Sequence, residues 1–395
     1  MRFATPDENG FAPVVVAFPL VAGACVWDAR HRSSQISGRT RRRLRVGDRT
    51  LALTFAVAFV ASTLVASGAV LRASEPVVVA QEQFHRGDYT SAVGTLSAAI
   101  SEHPHDAQLF HWRSRCYLEM KDYTQAIADA ERAVAERPDS SEYRRWAGHA
   151  YGGAAEQARS FSLARKVKAA FEEAVKLDAS NVSARRDLAE FYAQAPWIVG
   201  GDRSKALKEA EAIARLDPVA GHLAHASYLH HEKRLDDAEA EYQRALDLQP
   251  ARIDPYLEAA DFYEERAEAA KLANAVEQAG RVAPGDVRLL YYRGVSLVLA
   301  RQSLVDADGL LRSYVATSPR RSDFPSHAAA QHWRGRLNES LGNLGAAADA
   351  YRAALALEPG RKASRDALSR LAATDFRRSR DHERFETSQL GRLFP

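Results

Sequence analysis

The stretch Ala107 to Ser140, AQLFHWRSRCYLEMKDYTQAIADAERAVAERPDS, constrains the fold more than any other. It reads as one complete helix–turn–helix unit, and weaker copies of it recur on both sides. Prolines mark the period: Pro104 to Pro138 is a step of 34 residues, and Pro250 to Pro284 is another. A helix pair of this length cannot bury its apolar face alone, so the units must stack and share a continuous core. The 395 residues would otherwise suggest two or three domains, but an array turns that length into one elongated body. The chain is 46% apolar and 27% charged, and it is rich in Ala, Glu, Arg and Leu with no β-branched runs after position 80, which points to an all-α protein.

The unit resembles the tetratricopeptide repeat. In that family's frame Tyr117 closes the first helix, Asp122 and Tyr123 make the turn, Ala126 and Ala133 are the small contacts of the second helix, and Pro138 ends the unit. The alanines let the helices approach closely, while Phe110, Tyr117 and Tyr123 fill the wedge between them. The resemblance implies a solenoid, a right-handed superhelix of about eight repeats over residues 74–361, with a capping helix at 362–373 and a charged tail at 374–395. Repeat three is expected to gain about seven residues through Gly152-Gly153 before its second helix resumes, and repeat four carries a longer loop, AQAPWIVGGDRSKA. That loop is similar to an insertion in some bacterial extracytoplasmic members of the family.

The N-terminal part has a different character. Residues 1–50 are basic and interrupted by Pro6, Pro13 and Pro19, so little stable fold is expected there. Residues 51–71, LALTFAVAFVASTLVASGAVL, form a 21-residue uncharged run between Arg49 and Arg72, long enough to cross a bilayer as a helix. With its arginine-rich flank this segment reads as a signal peptide or signal anchor. The array is then expected outside the cytoplasm, periplasmic, secreted or held at the membrane. The net charge of +3 hides this asymmetry: residues 1–72 hold ten Arg and four acidic residues, leaving 44 basic against 47 acidic side chains. A nearly neutral remainder argues against nucleic-acid binding by charge.

The family resemblance implies that first helices line a concave groove, and that positions five and nine of each unit face a protein or peptide partner. Those positions include His111 and Arg115, Arg145 and His149, Arg186 and Glu190, Leu257 and Asp261, and His332 and Arg336. Arg115, Arg145 and Arg186 would form a basic ladder suited to an acidic partner, with the groove turning apolar and acidic near Leu257, Asp261 and Glu264. Trp197 reads either as a plug over the repeat-four wedge or as an exposed aromatic anchor. Gly200-Gly201 reads either as an anion cradle of free backbone N–H groups or as a pair permitting a left-handed bend, with Asp202 capping the next helix. His222, His225, His230 and His231 do not converge on one side of a helix, so no metal is expected. There is no Walker A loop, nucleophile elbow or Cys-x-x-Cys pair, and no cofactor is implied. The expectation is a non-enzymatic interaction scaffold. The alternatives are a self-assembling homo-oligomeric component of a cell-envelope or secretion complex, and an anion- or sugar-binding receptor or enzyme on the same scaffold.

Overall fold

The computed structural model describes residues 75–373. The segment 1–50, the apolar run 51–71 and the tail 374–395 lie outside the described residues. Those described fold into seventeen α-helices and one 3-10 turn, with no strand. Among them no helix is long and apolar enough to cross a membrane.

The helices pair in sequence order. Repeat one is α1 (residues 75–85) and α2 (Tyr89–Glu102), and repeat two is α3 (Ala107–Glu119) and α4 (Tyr123–Glu136). Repeat three is α5 (Ser141–Ala158) and α6 (Phe161–Leu177). Repeat four is α7 (Val182–Gln194), the 3-10 turn Trp197–Val199 and α8 (Arg203–Leu216). Repeats five and six are α9 (Pro218–His231) with α10 (Leu235–Asp247), and α11 (Asp254–Glu265) with α12 (Ala269–Val282). Repeats seven and eight are α13 (Arg288–Ala300) with α14 (Leu304–Thr317), and α15 (His327–Ser340) with α16 (Leu344–Leu357). Residues 362–373 form a last helix, α17.

Local chemistry sets these boundaries. Asp106, Asp122, Ser140, Ser160, Asn181 and Asp202 each stand just before a helix and accept a hydrogen bond from one of its first N–H groups. The turn inside a repeat needs one residue in the left-handed region. Gly87, Lys121, Lys233, Ala267 and Gly342 occupy it with φ of 76°, 60°, 62°, 56° and 76°. Glycine is free of strain there, and the three others hold the conformation against it because the turn is closed by backbone bonds such as Asp122 N–H to the Tyr117 carbonyl at 2.9 Å.

Within each pair, small residues on one helix receive large ones from the other. Ala126 is fully buried, and its carbonyl accepts the Ser114 hydroxyl at 2.7 Å. A Cβ added to Gly148 would lie 2.3 Å from the Phe171 ring, and one on Gly335 would lie 2.3 Å from the Tyr351 ring. Repeat three differs from the expected pause at Gly152-Gly153. There α5 runs unbroken to Ala158 and α6 is also long, 18 and 17 residues against 13 or 14 in the helices of repeats two and four. Gly153 serves close approach: a Cβ there would sit 2.2 Å from the Tyr123 ring. From α9 to α15 the buried residues form one continuous cluster running from Leu223 to Leu337. The segment between α14 and α15 leaves this row and packs against repeat one, where Tyr89 and Arg320 meet across 231 positions of chain.

Candidate protein-interaction surfaces

In repeats two to four, the first-helix residues expected to face the groove are largely enclosed. Arg145 is 3% exposed; its guanidinium donates to Glu142 at 2.8 and 3.0 Å and to Asp187 at 3.2 Å. His149 Nε2 lies 2.8 Å from the same Asp187 oxygen. Burial works to raise the Glu142 carboxyl, but the adjacent Arg145 overrides it and holds the group down at about 2. Arg115 lies between aromatic rings, its guanidinium carbon 4.1 Å from the Trp112 centroid, 4.3 Å from Trp146 and 5.0 Å from Phe84. His111 packs against Tyr143 with ring centroids 4.9 Å apart. Arg186, half-buried, reaches across two repeats to the Glu258 carboxylate at 2.9 Å. The three arginines therefore sit on successive first helices, each engaged by a group of its own chain.

The acidic half divides differently from the frame. Leu257 is 4% exposed and belongs to the core rather than the groove lining, because its side of α11 faces the neighbouring helices of the continuous cluster. Asp261, one turn on, is open to solvent and accepts the Tyr292 hydroxyl at 2.7 Å. Glu264 accepts from the Tyr291 hydroxyl at 2.7 Å and from Trp333 Nε1 at 2.8 Å, which ties repeat six to repeat eight. Both carboxyls are pushed up from the usual range, chiefly by the enclosing protein. For Asp261 the Tyr292 hydrogen bond opposes this while Glu264 and Glu258 reinforce it; for Glu264 the Tyr291 and Trp333 hydrogen bonds oppose it.

The Trp197 turn has another arrangement. Val199 is the plug: it is 3% exposed and packs with Val167, Phe171, Leu188 and Ala206. Trp197 points away and is 85% exposed, with Ile198 beside it at 47%. Little slack remains in the backbone. Val199 and Gly201 N–H both donate to the Pro196 carbonyl, Asp202 N–H donates to the Tyr192 carbonyl, and the Asp202 carboxylate caps α8 through Ser204 and Lys205. Gly200 takes φ +102°, and Gly201 lies so close to Ala195 that a Cβ would come within 1.8 Å of its carbonyl oxygen. Between this turn and α6 lies a recess of about 370 Å³ lined by Arg165, Lys168, Ala169, Glu172 and residues 197–200. The sequence alone places Arg165 in the repeat-three insertion, off the basic ladder and without a part in binding, and does not mark Lys168. Their signal was the 165, 168, 172 spacing, which places three charged side chains on one face of α6.

The histidines of α9 turn to separate partners, although the His230 and His231 rings stack on each other. His222 meets Glu241 at 2.6 Å, His230 meets Glu265 at 3.2 Å, and His231 meets Gln194 at 2.8 Å. Among the described residues no group of three or more His, Cys, Asp or Glu is placed to hold a metal ion. Cys116 is buried, and that burial pushes its thiol up to about 12.

Sequence profiles of the tetratricopeptide repeat match residues 83–146, 199–253 and 320–362. This is a tetratricopeptide-repeat protein. Several solved structures are similar to it. One is yeast Tom70, at 15% identity and a TM-score of 0.51, covering 74% of this chain and 59% of that one. Another is a thermophilic tetratricopeptide-repeat protein of Thermus thermophilus, at 20% identity and a TM-score of 0.41, covering 48% and 98% of the two chains. A third is a tetratricopeptide-repeat protein of Parabacteroides merdae, at 14% identity and a TM-score of 0.43, covering 76% and 98%. No curated protein matches the sequence. In tetratricopeptide-repeat terms, Gly148, Gly294 and Gly335 hold equivalent places on their first helices, each facing a large side chain of the second: Phe171, Leu311 and Tyr351.

Proposed function

We propose that this chain is a non-catalytic interaction scaffold, exported or membrane-anchored through residues 51–71, whose protein partner docks on the Trp197 turn and the adjoining face of α6. The observation that carries this reading is the indole of Trp197, 85% exposed on a backbone with almost no freedom. Tryptophan and arginine dominate binding energy at protein interfaces, and a side chain already held in place loses little entropy when it is covered. Arg165 stands beside the indole, exposed and without an ion pair among the described residues, which favours a partner with a carboxylate next to an apolar side chain. The concave positions His111, Arg115, Arg145, His149, Arg186, Leu257 and Asp261 then act mainly by holding the shape of the array, with Arg186 and Asp261 the most accessible to a second contact.

The test is a crosslinked pull-down from the envelope fraction with wild type, Trp197→Ala and Arg165→Glu. Loss of the same captured protein in both variants, with unchanged helical circular dichroism, supports the assignment. Capture that survives both variants rejects it. A mass measurement by size exclusion addresses the alternative of a self-assembling component, which predicts a multiple of the 43.5 kDa chain mass.

A further inference from the structure

Repeats one and two together carry a surface that receives an extended segment of the same chain. Phe84 and His85 of α1, Tyr89 of α2 and Glu119 of α3 face residues 319–323, which connect α14 to α15. The Tyr89 hydroxyl donates to the Arg320 carbonyl at 2.9 Å. Ser322 donates twice to Glu119, its N–H at 2.9 Å to Oε2 and its hydroxyl at 2.7 Å to Oε1. The Arg321 guanidinium lies 5.4 Å from the Phe84 ring centroid and 2.7 Å from His85 Nδ1, and it is held in that pose by Asp323. Pro319 reaches the turn at Gly87, where a Cβ would stand 3.4 Å from the proline ring.

These contacts have the logic of peptide recognition. Side chains of the receptor read a main-chain carbonyl and a main-chain N–H, a carboxylate reads a hydroxyl, and an arginine stacks on an aromatic face. Glu119 makes the point most directly. It is half-buried, and among the described residues its hydrogen bonds come from Ser322, with only the Tyr89 hydroxyl besides, at 3.5 Å. A carboxylate so placed is left poorly satisfied when that surface is empty.

We infer that the Phe84–Tyr89–Glu119 surface is a docking site for an extended arginine–serine segment, occupied in this structure by residues 319–323, and that a partner segment of the same chemistry competes with them. Because the resident segment is covalently tethered, it competes at a high effective concentration, so an incoming segment binds weakly until the resident one is disabled. The inference is independent of the Trp197 surface.

The test uses the full chain and a fluorescein-labelled synthetic peptide of residues 317–325, followed by anisotropy. Arg321→Ala with Ser322→Ala disables the resident segment without changing its length. The peptide should then bind on the order of tenfold more tightly than to wild type. Adding Glu119→Gln or Tyr89→Phe to that background should remove most of the gain, and a scrambled peptide should not bind. Ser322→Ala alone, at an exposed position, should give a smaller gain and carries the test if the double variant loses its helical signal. Equal binding to wild type and to the disabled chain, or a gain that ignores both Glu119→Gln and Tyr89→Phe, overturns the inference.

Discussion

The Glu119 carboxylate is bonded through both of its oxygens to Ser322, a residue 203 positions further along the chain. Arrays of this kind usually hold together through contacts between adjacent repeats alone. Here a nonadjacent contact joins repeat two, beside the Tyr89 contact of repeat one, to the segment after repeat seven, and it should couple their stabilities. Ser322→Ala is expected to remove about 0.5 to 1.5 kcal/mol from that contact. Hydrogen exchange should show faster opening of α1 to α3 with no change in α11 to α13. Unchanged exchange in α1 to α3 would show that the contact does not stabilise this end of the array.

Small-residue packing gives a second expectation. Ala126 is fully buried and Ala128 is exposed on the same helix. Ala126→Leu should destabilise by roughly 1 to 3 kcal/mol through overpacking, whereas Ala128→Leu should stay within about 0.5 kcal/mol of wild type. Thermal melts of the two variants provide the comparison, and equal shifts would mean that α4 is packed in another register.

The glycines divide by what surrounds them. Gly335→Ala drives a methyl group into the Tyr351 ring and should lower the melting temperature. Gly309, inside α14 with nothing within 4 Å of an added Cβ, should accept alanine with a gain of about 0.5 to 1 kcal/mol. A destabilised Gly309→Ala chain would point to a neighbour against that face of α14.

Arg145 offers a sharper test of the concave face. Removing it leaves Asp187 buried with only His149 against it, and deprives Glu142 of its cation. Arg145→Ala is therefore expected to cost about 3 to 5 kcal/mol of stability, as for other broken buried pairs. Urea denaturation measures it. A loss below about 1 kcal/mol would mean that the ladder arginines are free to serve a partner after all.

His332 makes stability depend on pH. Burial holds its imidazole near 4, with Arg361, Arg336 and Arg370 adding repulsion, while an unfolded histidine titrates near about 6.5. Between those values the unfolded chain binds the extra proton, so this contribution is present above pH 6.5 and is lost as pH falls toward 4. Asp261 acts in the opposite sense, since its raised carboxyl holds a proton in the folded state that the unfolded chain has released. The informative measurement is thus the difference between wild type and His332→Gln across pH 4 to 7, which should shrink as the pH is lowered. A difference independent of pH would remove His332 from the account.

Export is tested separately. An alkaline phosphatase fusion after Pro104 should be active and one after Arg45 silent, given the arginine excess before the uncharged run. Activity of the second fusion, or silence of the first, would overturn the proposed topology.

The array was legible because its signals are local. The 34-residue proline spacing, the aspartate and serine caps, and alanine at the close contacts all act within one or two turns of helix. The candidate surfaces were less legible because their geometry depends on partners far away in sequence. Nothing near Arg186 announces Glu258, 72 positions on, and nothing near Glu119 announces Ser322. Leu257 and Asp261 lie one turn apart on the same stripe of α11, yet the stacking of neighbouring helices covers the first and leaves the second open. At the repeat-four turn either of two apolar residues could have filled the wedge. Val199 took the place, because the hydrogen bonds to the Pro196 carbonyl turn its side chain inward and Trp197 outward.

The meeting of Ser322 with Glu119 also fixes how many repeats this protein can have. Solenoids ordinarily lengthen and shorten by duplicating or losing whole units, since each new unit needs only its two neighbours. In this chain an added or deleted unit anywhere between α3 and α14 would rotate and displace residues 319–323 by one repeat, and the two surfaces would no longer meet. Descendants of this chain should therefore vary in sequence and in loop length while keeping the same count of units between those two residues, and a change in that count should be accompanied by loss of the serine, the glutamate or both.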